Sequence, residues 1–315
     1  MRLFGCTALA ACVTGCGVLA APADVPDELP DARLGPFRKL DELEADPAPF
    51  VEIDYAAELG GPAVLATGSR FELYFHATLD AGGAPALRLA AGDGATAFGE
   101  DEVILEPEDE IGLVDPAAIR TWTGDDLLFY AAATGDWIRL ARREEAGFVP
   151  GGAPVLERGR GPAIGAPSLL ELDDELLLYF ERGDLIELAV SADGGATWAE
   201  RGPVLFPDEG WDAGGVGDPS AILYTSPLGR RSVRLYYTGR SLDDPPVAGI
   251  GVAASFDGAG DFDRLVGNPL FDGDRDEQAP AALDVGGATV LYFSQSSAGG
   301  RPAIAAAVAP GDVRF

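Results

Sequence analysis

The 315-residue sequence predicts an all-β chain: a five-bladed β-propeller of four-stranded antiparallel blades behind an N-terminal signal and tether. Repetition is the first reason. A small residue or Asp and a proline open a short apolar run, and a bulky run around an aromatic follows. The copies are Gly61-Pro62-Ala63-Val64 with Leu73-Tyr74-Phe75, Asp115-Pro116-Ala117-Ala118 with Leu128-Phe129-Tyr130, Ala166-Pro167-Ser168-Leu169 with Leu178-Tyr179-Phe180, Asp218-Pro219-Ser220-Ala221 with Leu235-Tyr236-Tyr237, and Ala279-Pro280-Ala281-Ala282 with Leu291-Tyr292-Phe293. Their prolines stand 54, 51, 52 and 61 residues apart, close to the ~40–50 residues of a propeller blade. Period is the second reason: each copy alternates apolar and polar residues over short runs broken by Gly, Pro and Asp, and no long helical pattern competes.

Within a copy the proline-led run is expected as the innermost strand, its proline at the first residue, where a missing N–H costs the ladder least. The aromatic run is the second strand. Ile186–Val190 and Gly249–Ala253 are third strands, and Gly202–Phe206 and Asn268–Phe271 fourth strands. The fifth copy runs out at Val313-Arg314-Phe315, leaving an edge that something must pair. The alternating segment Phe50-Val51-Glu52-Ile53-Asp54-Tyr55 is expected to complete that blade, the alternative being a loop across the ring.

The first residues read as an address. Arg2, an apolar stretch and Val13-Thr14-Gly15-Cys16 resemble a bacterial lipoprotein signal, which makes Cys16 the acylated residue; Leu9-Ala10-Ala11-Cys12 is a second box behind a much shorter signal. Pro22 to Asp46, rich in Pro, Asp, Glu and Ala, suits an extended tether. The expected division is signal 1–15, acylated Cys and tether 16–48, propeller 49–315. Gly17 stands where that pattern places the Asp of inner-membrane retention, so an outer-membrane or cell-surface position follows, with the membrane met through lipid only.

All three cysteines lie in the leader, which excludes disulfides and thiol chemistry from the propeller. The 52 acidic against 22 basic side chains, a formal charge of −30, exclude a phosphate-backbone partner. Lys39 is the only lysine. A monomer is expected.

Two loops carry a signature. Ser191-Ala192-Asp193-Gly194-Gly195-Ala196-Thr197-Trp198 resembles the Asp-box hairpin of sialidases and other sugar-active propellers, and Ser255-Phe256-Asp257-Gly258-Ala259-Gly260-Asp261-Phe262 is a looser copy. The Asp accepts from backbone N–H groups of its own turn and glycine supplies positive φ, so the motif folds a hairpin and performs no catalysis. The fourth copy runs Gly210-Trp211-Asp212 through Asp218-Pro219-Ser220, then Tyr236-Tyr237-Thr238-Gly239-Arg240, Ile250–Ala253 and Asn268-Pro269-Leu270. This succession resembles the five-bladed propellers of glycoside hydrolase families 32, 43, 62 and 130, over roughly residues 50–315.

The resemblance implies carbohydrate as partner and carboxylates at the starts of innermost strands, where glycosidic cleavage needs a base or nucleophile and a protonated acid. In the family-43 pattern the base precedes the first proline and the acid belongs to a Glu-Ala-Pro or Glu-Gly-Pro of the third blade. Gly61 and Gly165 fill those places here, and Asp115 matches the supporting Asp. Asp115, Asp218 and Glu277 are therefore the candidate catalytic acids, and Trp211, Asp212 and Trp122 the candidate substrate contacts. Trp122 is alternatively placed at the far end of its strand or in blade packing. His76, the only histidine, reads as a strand residue. No cofactor is expected beyond calcium at Asp272-Gly273-Asp274-Arg275-Asp276-Glu277, whose oxygens suit that ion although Arg275 interrupts them and EF-hand spacing is absent. Three readings stay open: a glycosidase or phosphorylase, a non-catalytic sugar-binding lipoprotein, and a scaffold for another envelope protein.

Overall fold

A computed structural model of the chain describes residues 37–40 and 57–309, less 79–81, 109, 226–228, 245, 261, 272–275, 286–287 and 297–301. The lipobox at Cys16, the Phe50–Tyr55 segment and the center of the acidic cluster lie outside the described residues. Five antiparallel sheets follow one another along the chain as the blades of a propeller. Blade I comprises Glu58–Thr67, Arg70–Thr78, Ala86–Gly92 and Asp101–Leu105; blade III, Ile164–Leu172, Glu175–Arg182, Leu185–Ser191 and Ala199–Leu205. Blade II, from Leu113–Arg120, Asp126–Ala132 and Trp137–Glu144, carries both Gly147–Pro150 and Leu156–Glu157 on its third strand. Blade IV comprises Gly215–Thr225, Arg231–Arg240, Ala248–Ser255 and Asp263–Arg264, so its fourth strand lies before the expected Asn268–Phe271. That segment instead leaves the sheet after Leu270 N–H has bonded Ile250 O.

The prolines correct one expectation, because they sit inside the innermost strands and not at their first residues. In every blade the register skips there, between Gly60 and Ala63, Val114 and Ala117, Gly165 and Ser168, Gly217 and Ser220, and Gln278 and Ala281. A bulge excuses the missing N–H, since the residues it contains pair with nothing on the second strand. The residue before each proline is left-handed: Gly61 at φ 56°, Asp115 at 51°, Ala166 at 46°, Asp218 at 46° and Ala279 at 51°. Such a backbone costs roughly 1–2 kcal/mol for a residue with a Cβ, so four of these five positions hold strain that neighboring blades must offset.

Hydrogen bonds between adjacent blades supply the offset. The left-handed residue's N–H donates to a side chain of the preceding blade: Asp115 to His76 Nδ1 at 3.2 Å, Ala166 to Asp115 Oδ2 at 3.3 Å, Asp218 to Glu181 Oε2 at 3.1 Å and Ala279 to Thr238 Oγ1 at 2.9 Å. Three of these acceptors directly follow the aromatic run of their copy; blade II has Ala131 there, and Asp115 substitutes from the bulge. Two serines after prolines repeat the device lower down, Ser168 Oγ accepting from Ala221 N–H and Ser220 Oγ from Ala282 N–H, both at 2.9 Å.

The aromatic runs fill the space between blades, with Tyr74, Tyr179, Tyr236, Tyr237, Tyr292, Phe75, Phe129, Phe180 and Phe293 fully buried. At roughly 1.5–3 kcal/mol for each large apolar side chain buried, these second strands hold the ring together. Two tyrosines also reach a neighboring blade's loop, Tyr179 Oη donating to Gly258 O and Tyr292 Oη to Ala95 O. The blade III hairpin is tied by Asp193, which accepts from Thr197 N–H at 2.8 Å and Thr197 Oγ1 at 2.6 Å; these bonds hold its carboxyl at about 2.

Closure comes from an unexpected segment. Arg38–Lys39 pairs antiparallel with Pro302–Val308, Arg38 opposite Val308 and Lys39 opposite Ala307. Part of the span expected as tether is therefore the outer strand of blade V. Phe37 is buried edge-on against Tyr236 and Phe271, and Lys39 is ion-paired with a buried Glu277.

Candidate functional site at the axial mouth

The five left-handed residues and their prolines line one end of the axial channel. The recess they enclose is small, holding about 30 Å³, enough for water. Past the proline ring, the channel widens to about 120 Å³ among Pro62–Val64, Pro116–Ala118, Pro167–Leu169, Pro219–Ala221 and Pro280–Ala282.

Three carboxylates and one guanidinium furnish this end. Asp115 comes from blade II and Asp218 from blade IV, two blades apart around the ring. Glu181, on the second strand of blade III, reaches toward blade IV, where its Oε2 accepts the Asp218 N–H. Arg240, at the end of the second strand of blade IV, lies 3.4 Å from each Glu181 oxygen and 3.5 Å from Asp218 Oδ2. All four side chains keep between 18% and 31% of their surface exposed.

Burial raises the Asp115 carboxyl to about 7, with the Asp218 charge adding to the rise and the Ala166 N–H opposing it. Glu181 is also raised, first by burial and then by Asp218, while Arg240 pulls it down. The two groups thus carry protons in a range where ordinary carboxylates carry none. His76 shows the opposite response, desolvation lowering it to about 4. Its Nδ1 accepts the Asp115 N–H, so it is a neutral ring carrying hydrogen on Nε2, seated beneath Asp115 as a strand residue.

Glu277, expected among the acids, is fully buried and paired with Lys39, so it fastens the closing strand instead of facing the mouth. Asp212 is 1% exposed and accepts from Tyr237 Oη at 3.1 Å and Arg264 Nε at 3.0 Å, which commits it to the interior of blade IV. Trp122 follows the innermost strand of blade II in the turn at its far end, away from Asp115; it is 73% exposed, its N–H donating to Glu171 Oε2. Trp211 lies against Gly239, Gly249 and Gly251, where a Cβ on Gly239 would come within 2.3 Å of the indole. Its loop is bonded to the site through Gly214 N–H and Arg240 O, and the ring remains half-buried. Among the described residues no group of three or more His, Cys, Asp or Glu side chains could hold a metal ion.

The two glycines at expected acid positions differ. A Cβ on Gly61 would stand 2.9 Å from Asp115 Oδ1 and from His76 Nδ1, on a left-handed backbone. A Cβ on Gly165 would lie at an ordinary 3.6 Å from Asp115 Oδ2, and Gly165 is the cross-strand partner of Glu181. Sequence reasoning missed Glu181 and Arg240. The signal was the position after the aromatic run, occupied by His76, Ala131, Glu181, Thr238 and Ser294 in the five copies.

Comparison with solved structures gives a thermostable family-43 glycoside hydrolase (16% identity, TM-score 0.60, 81% of this chain and 90% of that one) and an arabinanase from Bacillus subtilis (15%, 0.60, 82% and 96%). An α-L-arabinofuranosidase from Podospora anserina, solved in complex with cellotriose, matches at 9% identity and TM-score 0.61, over 84% of this chain and 95% of that one. The fold is the five-bladed propeller of these glycoside hydrolases. No protein-family model and no curated protein matches the chain.

Proposed function

We propose that the chain binds a neutral or weakly charged saccharide at the axial mouth. The observation that carries this is the gathering of Asp115, Glu181 and Asp218 with Arg240 at one end of the ring, from three blades and with every side chain partly exposed. Carboxylates accept from sugar hydroxyls and the guanidinium donates to them, and Trp211 stands on the adjoining loop as an apolar face for a sugar ring. The net charge of −30 disfavors polyanionic glycans. Calorimetry against arabinan, xylan, fructan, mannan and envelope polysaccharide tests the reading: one of them binds wild type, and Asp115→Asn or Asp218→Asn weakens it at least severalfold. No binding across the panel would favor a scaffold whose partner is another envelope protein.

We further propose that Cys16 is acylated and holds the chain at the outer membrane or cell surface. The support is the Val13-Thr14-Gly15-Cys16 box before a polar, proline-rich stretch. Cys16→Ala should move the protein out of the membrane fraction. Release by Cys12→Ala instead would shift the modification to the earlier box.

A further inference from the structure

We propose that the propeller rests on a zwitterionic lipid surface with the end opposite the axial mouth, so that the mouth points away from the membrane. This rests on acylation at Cys16 and goes beyond it, since an anchor alone leaves the orientation open.

The direction of the closing strand carries the inference. In blade V the innermost strand, Gln278–Val285, starts at the mouth with Ala279 and Pro280 and runs to the far end. Ala288–Ser296 returns toward the mouth, Pro302–Val308 runs back to the far end, and Arg38–Lys39, antiparallel to it, heads for the mouth. Arg38 lies opposite Val308, and Val308 opposite Val290, near the far-end start of the returning strand. The chain therefore enters the fold at Phe37 from the far end. It next appears at the mouth end, where Ala57 N–H donates to Thr78 O at the start of blade I.

Between Cys16 and Phe37 lie 20 residues. A polar chain of that length relaxes to roughly 25 Å end to end, about the length of an eight-residue blade strand such as Ala248–Ser255. With the far end on the membrane, the tether stays within that span. With the mouth on the membrane, it must also cover the whole side of the ring.

Exposed side chains at the far end fit the same surface. Trp122 stands out in the turn after the innermost strand of blade II, and Phe256, 67% exposed, in the turn after the third strand of blade IV. Both turns are fastened: Trp122 N–H donates to Glu171 Oε2 at 2.8 Å, and Ala259 N–H to Asp257 Oδ1 at 2.9 Å. An indole and a phenyl ring held out on fixed backbone suit the boundary between headgroups and acyl chains. The same end carries exposed Asp93, Asp125, Asp173, Asp174, Asp193 and Asp257. Anionic headgroups would be repelled by them, so the surface that fits is zwitterionic.

The test reconstitutes the acylated protein in phosphatidylcholine vesicles with a nitroxide on a fraction of the headgroups. One fluorescent thiol label is placed at Ala259→Cys, beside Phe256, or at Leu242→Cys, in the exposed loop at the mouth end of the same blade. Quenching at 259 should exceed quenching at 242 severalfold. Trp122→Ser with Phe256→Ser should shrink that difference while the protein still floats with the vesicles; an unchanged difference overturns the part given to the two rings. Equal quenching at both positions, or stronger quenching at 242, overturns the orientation and leaves the anchor standing. Failure of the wild type to float removes the anchor, and the orientation with it.

Discussion

Replacing Lys39 with Met should lower the unfolding free energy by about 3–5 kcal/mol, the usual cost of taking one partner from a buried ion pair. Glu277 is fully buried and the Lys39 side chain 9% exposed, so water does little to compensate the carboxylate once the cation is gone. The ammonium also lies 5.2 Å from the center of the Phe271 ring, and that attraction is lost with it. The effect should be large because Lys39 belongs to the two-residue strand that covers Pro302–Val308; losing it bares the outer edge of blade V. The midpoint of a urea titration should fall, and Lys39→Met with Glu277→Leu should recover much of the difference. A single variant as stable as wild type would mean the pair does not hold the closing strand.

Asp115→Asn should stabilize the fold at pH 8 and leave it unchanged near pH 3.5. The folded carboxyl is raised from 3.8 to about 7, so the native state binds its proton more tightly than the unfolded chain. That stability is fully present below 3.8 and is lost as pH rises through 7. A shift of this size corresponds to about 4 kcal/mol at 1.36 kcal/mol per unit. With 28% of the side chain exposed, solvent screening reduces the expected gain to roughly 1–2 kcal/mol. His76 acts in the opposite sense: lowered from 6.5 to about 4, it contributes stability above 6.5 that disappears as pH falls through 4. The two contributions oppose each other between about 4 and 6.5, so the wild-type melting curve should be nearly flat there, fall between about 6.5 and 7 as the remaining Asp115 stability is lost, and level off above, and Asp115→Asn should remove that fall. Calorimetric melting of both proteins across pH 3.5–8.5 measures it; a difference independent of pH would reject a raised Asp115.

Blade number, the second and third strands and the position of Asp115 and Asp218 could all be read from the sequence, because a motif repeated five times averages away local ambiguity. The proline-led runs are legible as strands but not their exact setting, since a bulge leaves no mark in an apolar–polar alternation. Six alternating residues at Phe50–Tyr55 look more like a closing strand than Arg38–Lys39, a pair whose partner strand begins at Pro302. What marks that pair in the sequence is the sole lysine. Asp212 and Glu277 were expected at the mouth from their nearness to prolines along the chain, but an acid there can as easily turn inward toward Arg264 or Lys39. Glu181 lies outside the innermost strands that the proline motif marks, because the blade-to-blade bonds use the second strand.

The closing strand also sets an order of events during synthesis. Arg38 and Lys39 are made about 270 residues before Ala307 and Val308, so the pair that completes the ring joins residues far apart in sequence. Hairpins within blades I to IV can form as they emerge, each between neighbors in sequence, whereas blade V must wait for Pro302–Val308. Throughout that interval the first-made strand has no partner, and a nascent ring of four blades must keep its own edges from other chains. A signal that delays release until residue 308 is available would therefore protect this protein more than one that hastens it.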